Sequence, residues 1–174
     1  MRLLLAILLS LSSLAVTAAE APRDPYQYFF NETWGDFSEE SAKAKAQGKK
    51  AILVFFELSE CPFCHWMKTN VLNQPEVQAY FREHFLNFPV DIEGDVEMTT
   101  FSGEVSTQKA FANENRVRAT PVFGFFDFEG KRMTRYIGRT ASVEEFMLLG
   151  RYVAEGHYQT MPFLKFKRQQ KGKT

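Results

Sequence analysis

Apolar residues come in two kinds of run along this chain. Ala51-Ile-Leu-Val-Phe-Phe56 is continuous and of strand length, as expected of a strand covered on both faces. Phe85 to Val90 is strand-like again and ends at Asp91, and Val122-Phe-Gly-Phe-Phe-Asp-Phe128 is a third such segment. Phe128 to Lys131 reads as a turn, and Arg132 to Ile137 as the returning arm of a hairpin. Between these lie segments of helical character. Asp36 to Gln47 has acids at its start, Ser38 as its cap, alternating Ala and Lys, and Gly48 as a stop. Pro62 opens a helix that runs through Trp66, Met67 and Val71 toward Asn73, and Pro75 to Phe81 begins another with Val77, Tyr80, Phe81 and His84 on one face. Ile92 to Thr107 has no sustained apolar period and reads as a surface loop, followed by a short helix from Lys109 to Asn115. Ser142 and Glu145 form a capping box for a last helix, whose inner face carries Phe146, Leu149, Tyr152 and Val153. Strands alternating with helices and closed by a hairpin predict an α/β domain, with a central mixed sheet flanked by helices.

The first 19 residues carry an address rather than fold. Met1-Arg2 is a positive tip, Leu3 to Leu9 is an unbroken apolar core, and Leu11 to Ala19 ends in small residues. This is the pattern of a secretory signal peptide cleaved after Ala18 or Ala19. The core falls short of the roughly 20 apolar residues that span a bilayer, so no stable membrane insertion is expected. An exported, periplasmic protein follows, with an N-terminal extension over 20–33, a domain over 34–160 and a basic tail over 161–174. Formal charge is zero, 21 basic against 21 acidic residues, which offers nucleic acid nothing to hold. Only the last ten residues are strongly basic, and they read as a solvated, frayed tail.

The chemistry concentrates in Cys61-Pro-Phe-Cys64-His65, because the chain has just two cysteines. That is too few for a disulfide scaffold, and the spacing fits three uses: a redox dithiol, a c-type haem attachment completed by His65, or part of a copper site. Position favours the first. Cys61 stands between a buried strand and the first turn of a helix, where unpaired backbone N–H groups and the helix dipole lower a thiol pKa and make it the nucleophile. Cys64, one turn on, is within reach to resolve a mixed disulfide. Glu60 beside Cys61 works against the thiolate.

Strand, Cys-x-x-Cys at a helix start, then Thr120-Pro121 before a Phe-rich strand and hairpin resembles the thioredoxin fold, over roughly Trp34 to Tyr158. More narrowly, Phe55-Phe-Glu-Leu-Ser-Glu-Cys-Pro-Phe-Cys64, Thr120-Pro121, Phe126-Asp-Phe-Glu-Gly130 and Glu144 to His157 are similar to exported thioredoxin-related proteins of the SoxW type, associated with sulfur-compound oxidation. The resemblance implies that Cys61 attacks, Cys64 resolves, and Thr120 with a cis Pro121 forms a lip that binds an extended substrate segment. Pro62 and Phe63 lie beside that segment. It further implies a thiol:disulfide oxidoreductase with no cofactor, acting on protein disulfides or S-modified cysteines and re-reduced by a membrane electron transporter. The chain departs from thioredoxin in carrying Glu60 where a Trp precedes the first cysteine, and Pro62-Phe63 in place of Gly-Pro. Phe55 stands where thioredoxin has a buried strand acid; Glu57 is read as a surface carboxylate out of phase with that position.

Overall fold

Seven buried residues, Ala51–Glu57, form strand β1 at the centre of the molecule. The computed structural model describes residues 20–172, so the signal-peptide expectation falls outside the described residues. β1 pairs in parallel with β2 (Phe85–Asp91) and antiparallel with β5 (Val122–Phe126), which in turn pairs with β6 (Arg132–Ile137), giving a four-stranded mixed sheet in the order β2-β1-β5-β6. Because neither face of β1 meets water, its side chains divide by parity between two cores. Leu53 and Phe55 enter one with Phe81, Phe123 and Phe146; Ile52, Val54 and Phe56 enter the other with Phe37, Phe88 and Phe111. Rings meet at centroid separations such as 4.4 Å for Phe81 on Phe146 and 4.9 Å for Phe55 on Phe123. Each such buried ring contributes on the order of 2–3 kcal/mol by leaving water.

Helices α2 (Phe37–Ala46), α3 (Pro62–Asn70), α4 (Pro75–His84), α5 (Gln108–Glu114) and α6 (Val143–Ala154) cover the sheet. Gly150 inside α6 has a packing reason: a Cβ there would stand 2.9 Å from the rings of both Tyr80 and Phe81 on α4. The cap of α2 is Asp36, whose carboxylate accepts from the Ser38 and Glu39 N–H groups, rather than the Ser38 expected from sequence. The Ser142 cap holds, accepting from Glu145 N–H at 3.3 Å.

Three segments differ from the sequence reading. Ile92 to Thr107 is not wholly loop: β3 (Glu97–Thr99) and β4 (Val105–Thr107) form a small antiparallel pair whose Met98 is buried in the second core. Strands of three residues are too short to show a period. The Phe-rich strand ends at Phe126 rather than Phe128, because Asp127 turns the chain by accepting from the N–H groups of Glu129 and Lys131. The basic C-terminal segment is not frayed. It forms α7 (Phe163–Lys171), which buries Phe166 and pairs Lys167 with Glu145 at 2.7 Å. At the other end a single turn, α1 (Pro25–Tyr28), delivers Phe29 and Phe30 into the first core, with Phe29 edge-on to Phe30 and 5.5 Å from Phe81.

Candidate functional site

β1 ends at Glu57, and four residues later Cys61 caps α3. Pro62 occupies the first helical position, where its fixed φ suits the helix and its missing N–H removes nothing. Cys61 and Cys64 are joined in a disulfide with Cα atoms 5.2 Å apart. Cys61 Sγ also accepts the Cys64 backbone N–H at 3.1 Å. After reduction that donor and the helix dipole favour a thiolate at the same sulfur. Cys61 is 8% exposed and Cys64 1%, so incoming groups meet Cys61 first. Glu60 faces solvent and Phe63, between the thiols, is 55% exposed.

The other predicted site residues reach the same end of the sheet by topology. Phe56 pairs with Val122, so Pro121 follows in register opposite the end of β1 from which the Cys61 loop departs. The Thr120-Pro121 peptide bond is cis. Pro121 gives its carbonyl to Gly138 N–H at 2.8 Å, which ties it to the end of β6. Among the described residues Thr120 makes no backbone–backbone hydrogen bond.

Three features escape the sequence reading. Arg139 lies with its guanidinium 4.5 Å from the Trp66 ring and 5.8 Å from the Phe63 ring, over the redox helix. Thr140 is fully buried, donates to the Ser142 carbonyl at 3.1 Å and lies 3.7 Å from Met67 Sδ beneath the disulfide. Both follow the hairpin, and nothing in their spacing marks them. The third corrects an expectation: Glu57 is not a surface carboxylate but is 8% exposed, and it shares the strand face of Phe55, two residues away. Its oxygens accept from Lys68 Nζ at 2.6 Å and from Tyr26 OH at 3.1 Å, while Lys68 also donates to Tyr26 OH at 2.9 Å. Burial alone would lower the Lys68 pKa, but its hydrogen bonds to Glu57 and Tyr26 outweigh that and hold it above the ordinary lysine value. Burial raises the Tyr26 phenol. Lys68 lies one helical turn beyond Cys64 on α3, so the pair is anchored to the helix that carries both cysteines. A polar residue ending an otherwise apolar strand was the signal available for it.

Both sulfurs are bonded to each other, His65 is exposed, His84 stacks on Tyr80 and His157 pairs with Glu155. Among the described residues no group of three or more His, Cys, Asp or Glu side chains is placed to hold a metal ion, and no helix is long and apolar enough to cross a membrane.

A mixed four-stranded sheet carrying a vicinal Cys-x-x-Cys disulfide at a helix start, with a cis-proline at the same edge, defines a thioredoxin-fold protein. The thioredoxin-like domain family matches residues 37–154, and the chain belongs to that family. No curated protein sequence matches it. Among solved structures it is similar to a thioredoxin-fold protein from Helicobacter pylori, at 21% identity, TM-score 0.57, covering 72% of this chain and 82% of that one. A thioredoxin from Thermus thermophilus aligns at 26% identity and TM-score 0.55, over 72% of this chain and 87% of that one. A DsbH oxidoreductase aligns at 19% identity and TM-score 0.56, over 74% and 88%.

Proposed function

We propose that this protein is an exported thiol:disulfide oxidoreductase that reduces disulfides or S-modified cysteines on partner proteins. The observation that carries the reading is the Cys61–Cys64 disulfide at the first turn of α3, with its outer sulfur already hydrogen-bonded by a helix N–H. In the reduced protein the Cys61 thiolate attacks one sulfur of a partner disulfide, forming a mixed disulfide and expelling the other partner sulfur as thiolate. Cys64, deprotonated, then attacks Cys61 Sγ and expels the second partner sulfur. Two electrons pass to the partner, which gains two protons, and the Cys61–Cys64 bond is restored. A cysteine whose sulfur carries a further sulfur group reacts the same way: Cys61 attacks the cysteine sulfur, and the added group leaves as its own sulfur anion, a thiolate, hydrosulfide or sulfite according to what was attached. No cofactor enters the cycle.

In an oxidising exported space the cycle needs a reductant, for which a membrane electron transporter is the natural source. The resemblance to SoxW-type proteins supports a place in sulfur-compound oxidation. Pro62 and the N–H donor to Cys61 favour the reduced form while Glu60 opposes it, so the expected potential lies between about −270 and −120 mV, the thioredoxin and DsbA extremes.

Expression of a Cys64→Ser variant in the native exported compartment should trap partners as mixed disulfides that a reductant releases. Absence of trapped species, together with no insulin reduction by the unmodified protein, would remove the oxidoreductase reading. A Soret band or one tightly held equivalent of copper(I) in the purified protein would replace it with the haem or metal-carrier alternative.

A further inference from the structure

The charge of this neutral chain is unevenly placed. Residues 116–139 hold six basic residues, Arg116, Arg118, Lys131, Arg132, Arg135 and Arg139, against two acids, Asp127 and Glu129. All five arginines are exposed, and among the described residues none forms an ion pair, whereas Glu40, Glu57 and Glu145 are each paired with a lysine. They are also gathered. Arg132 Nη1 and Arg135 Nη1 both donate to the Asn115 carbonyl, at 3.0 and 3.4 Å, with Arg116 next in the chain. Burial lowers the Arg132 pKa first, and the neighbouring charges of Arg135 and Arg116 lower it further.

This cluster is continuous with the redox lip. Arg118 precedes Thr120 by two residues, Arg139 lies over Phe63 and Trp66, and Gly138 is bonded to Pro121. From there β6, the edge strand of the sheet, runs back through Ile137, 59% exposed, to Arg135 and Arg132, a span of about 17 Å at strand rise. An edge strand offers unpaired backbone groups to an extended chain, and the guanidiniums beside it select that chain by charge.

We propose that this arginine-lined edge docks an acidic segment of the partner protein, adjoining the cysteine that is exchanged at Cys61. The proposal rests on the oxidoreductase reading and deepens it by naming the partner's chemistry. Uncompensated surface charge beside a reactive site acts mainly on the association rate and is screened by salt.

The test uses the full mature protein, reduced beforehand, and three synthetic peptides with one common disulfide loop followed by a Glu-rich, Gln-rich or Lys-rich tail. Second-order rates of peptide reduction are measured at about 20 mM and about 500 mM salt. At low salt the Glu-tailed peptide should react at least about tenfold faster than the Lys-tailed one, and the ratio should fall to about twofold at high salt. A combined Arg132→Gln and Arg135→Gln variant should show a low-salt ratio several-fold smaller than the unmodified protein. Equal rates for all three peptides would overturn the docking proposal and leave the oxidoreductase reading standing; no reduction of any peptide would overturn both. Duplex DNA that inhibits exchange while the three peptides react alike would assign the arginines to a nucleic acid and overturn the proposal.

Discussion

The two ends of the described chain are fastened by the same three residue types in different surroundings. At one end Glu57 of β1 takes hydrogen bonds from Lys68 of α3 and Tyr26 of α1; at the other Glu145 of α6 takes them from Lys167 of α7 and Tyr136 of β6. The two carboxylate side chains are equally buried, at 11% exposure. They differ in what the lysine belongs to. Lys68 is part of the redox helix, whose Cys64 and Met67 lie in the first core, whereas Lys167 sits on α7, whose one buried anchor is Phe166. An ion pair inside a body must break at the expense of a stranded charge, whereas one on a terminal helix can break by detachment, which returns both charges to water. The same chemistry is therefore structural support for a reactive site in one place and a latch in the other.

Removing each lysine measures that difference most directly. Lys68→Met should lower global stability by about 3 kcal/mol, because Glu57 is left buried without its cation. Lys167→Met should cost about 1 kcal/mol, with faster amide exchange confined to the region of α7. Equal losses in urea titrations of the two variants would erase the distinction.

Acid and alkali should separate the two clusters next. Burial disfavours the Glu145 carboxylate, but the Lys167 hydrogen bond and the Ala141 N–H outweigh it and hold its pKa below the ordinary 4.5. Its contribution is thus complete above about 4.5 and is lost as pH falls through the lowered value. Lys68 is held above the ordinary 10.5, so its contribution is complete below that and is lost as pH rises through the raised value. Proteolysis should accordingly open α7 faster as pH falls well below 4.5 than at pH 6, and amide exchange, corrected for its intrinsic pH dependence, should loosen α1 as pH rises beyond 10.5. Protection of α7 that does not change across the acid range would contradict the Glu145 assignment.

The smallest expected effect is on the redox couple. Lys68 stands one turn from Cys64 on α3, so Lys68→Met leaves the Glu57 charge uncompensated near the redox helix and should make the couple more reducing by about 20 mV. Glu57→Gln should shift it by a similar amount in the opposite sense, and Lys167→Met should leave it in place. Glutathione titration reads all three, and an equal shift from Lys167→Met would dissolve the link between position and chemistry.

The sheet was legible because its strands are short apolar runs that alternate with capped helices, and the Cys61 and Cys64 pair was legible because two cysteines three positions apart after a buried strand admit few uses. Thr120-Pro121 was reached through resemblance, since an X-Pro pair does not by itself declare its isomer. Glu57, Arg139 and Thr140 were not legible in the same way. A glutamate at a strand end reads as solvated until a lysine 11 residues on and a tyrosine 31 residues back arrive beside it. The C-terminal helix was hidden by its own basic composition: its single buried ring, Phe166, becomes an anchor only against Tyr152 and His157.

By itself the sequence determined which segments must leave water and where a thiolate is best stabilised, because apolar periodicity and helix-start electrostatics act over a few neighbouring residues. Tertiary structure alone decided which charges are paired, which arginines stand unpaired along β6, and which end of that strand adjoins Pro121 and the Cys61 loop. Those are contacts between residues far apart in the chain, and their energies exist only once the intervening segments have packed.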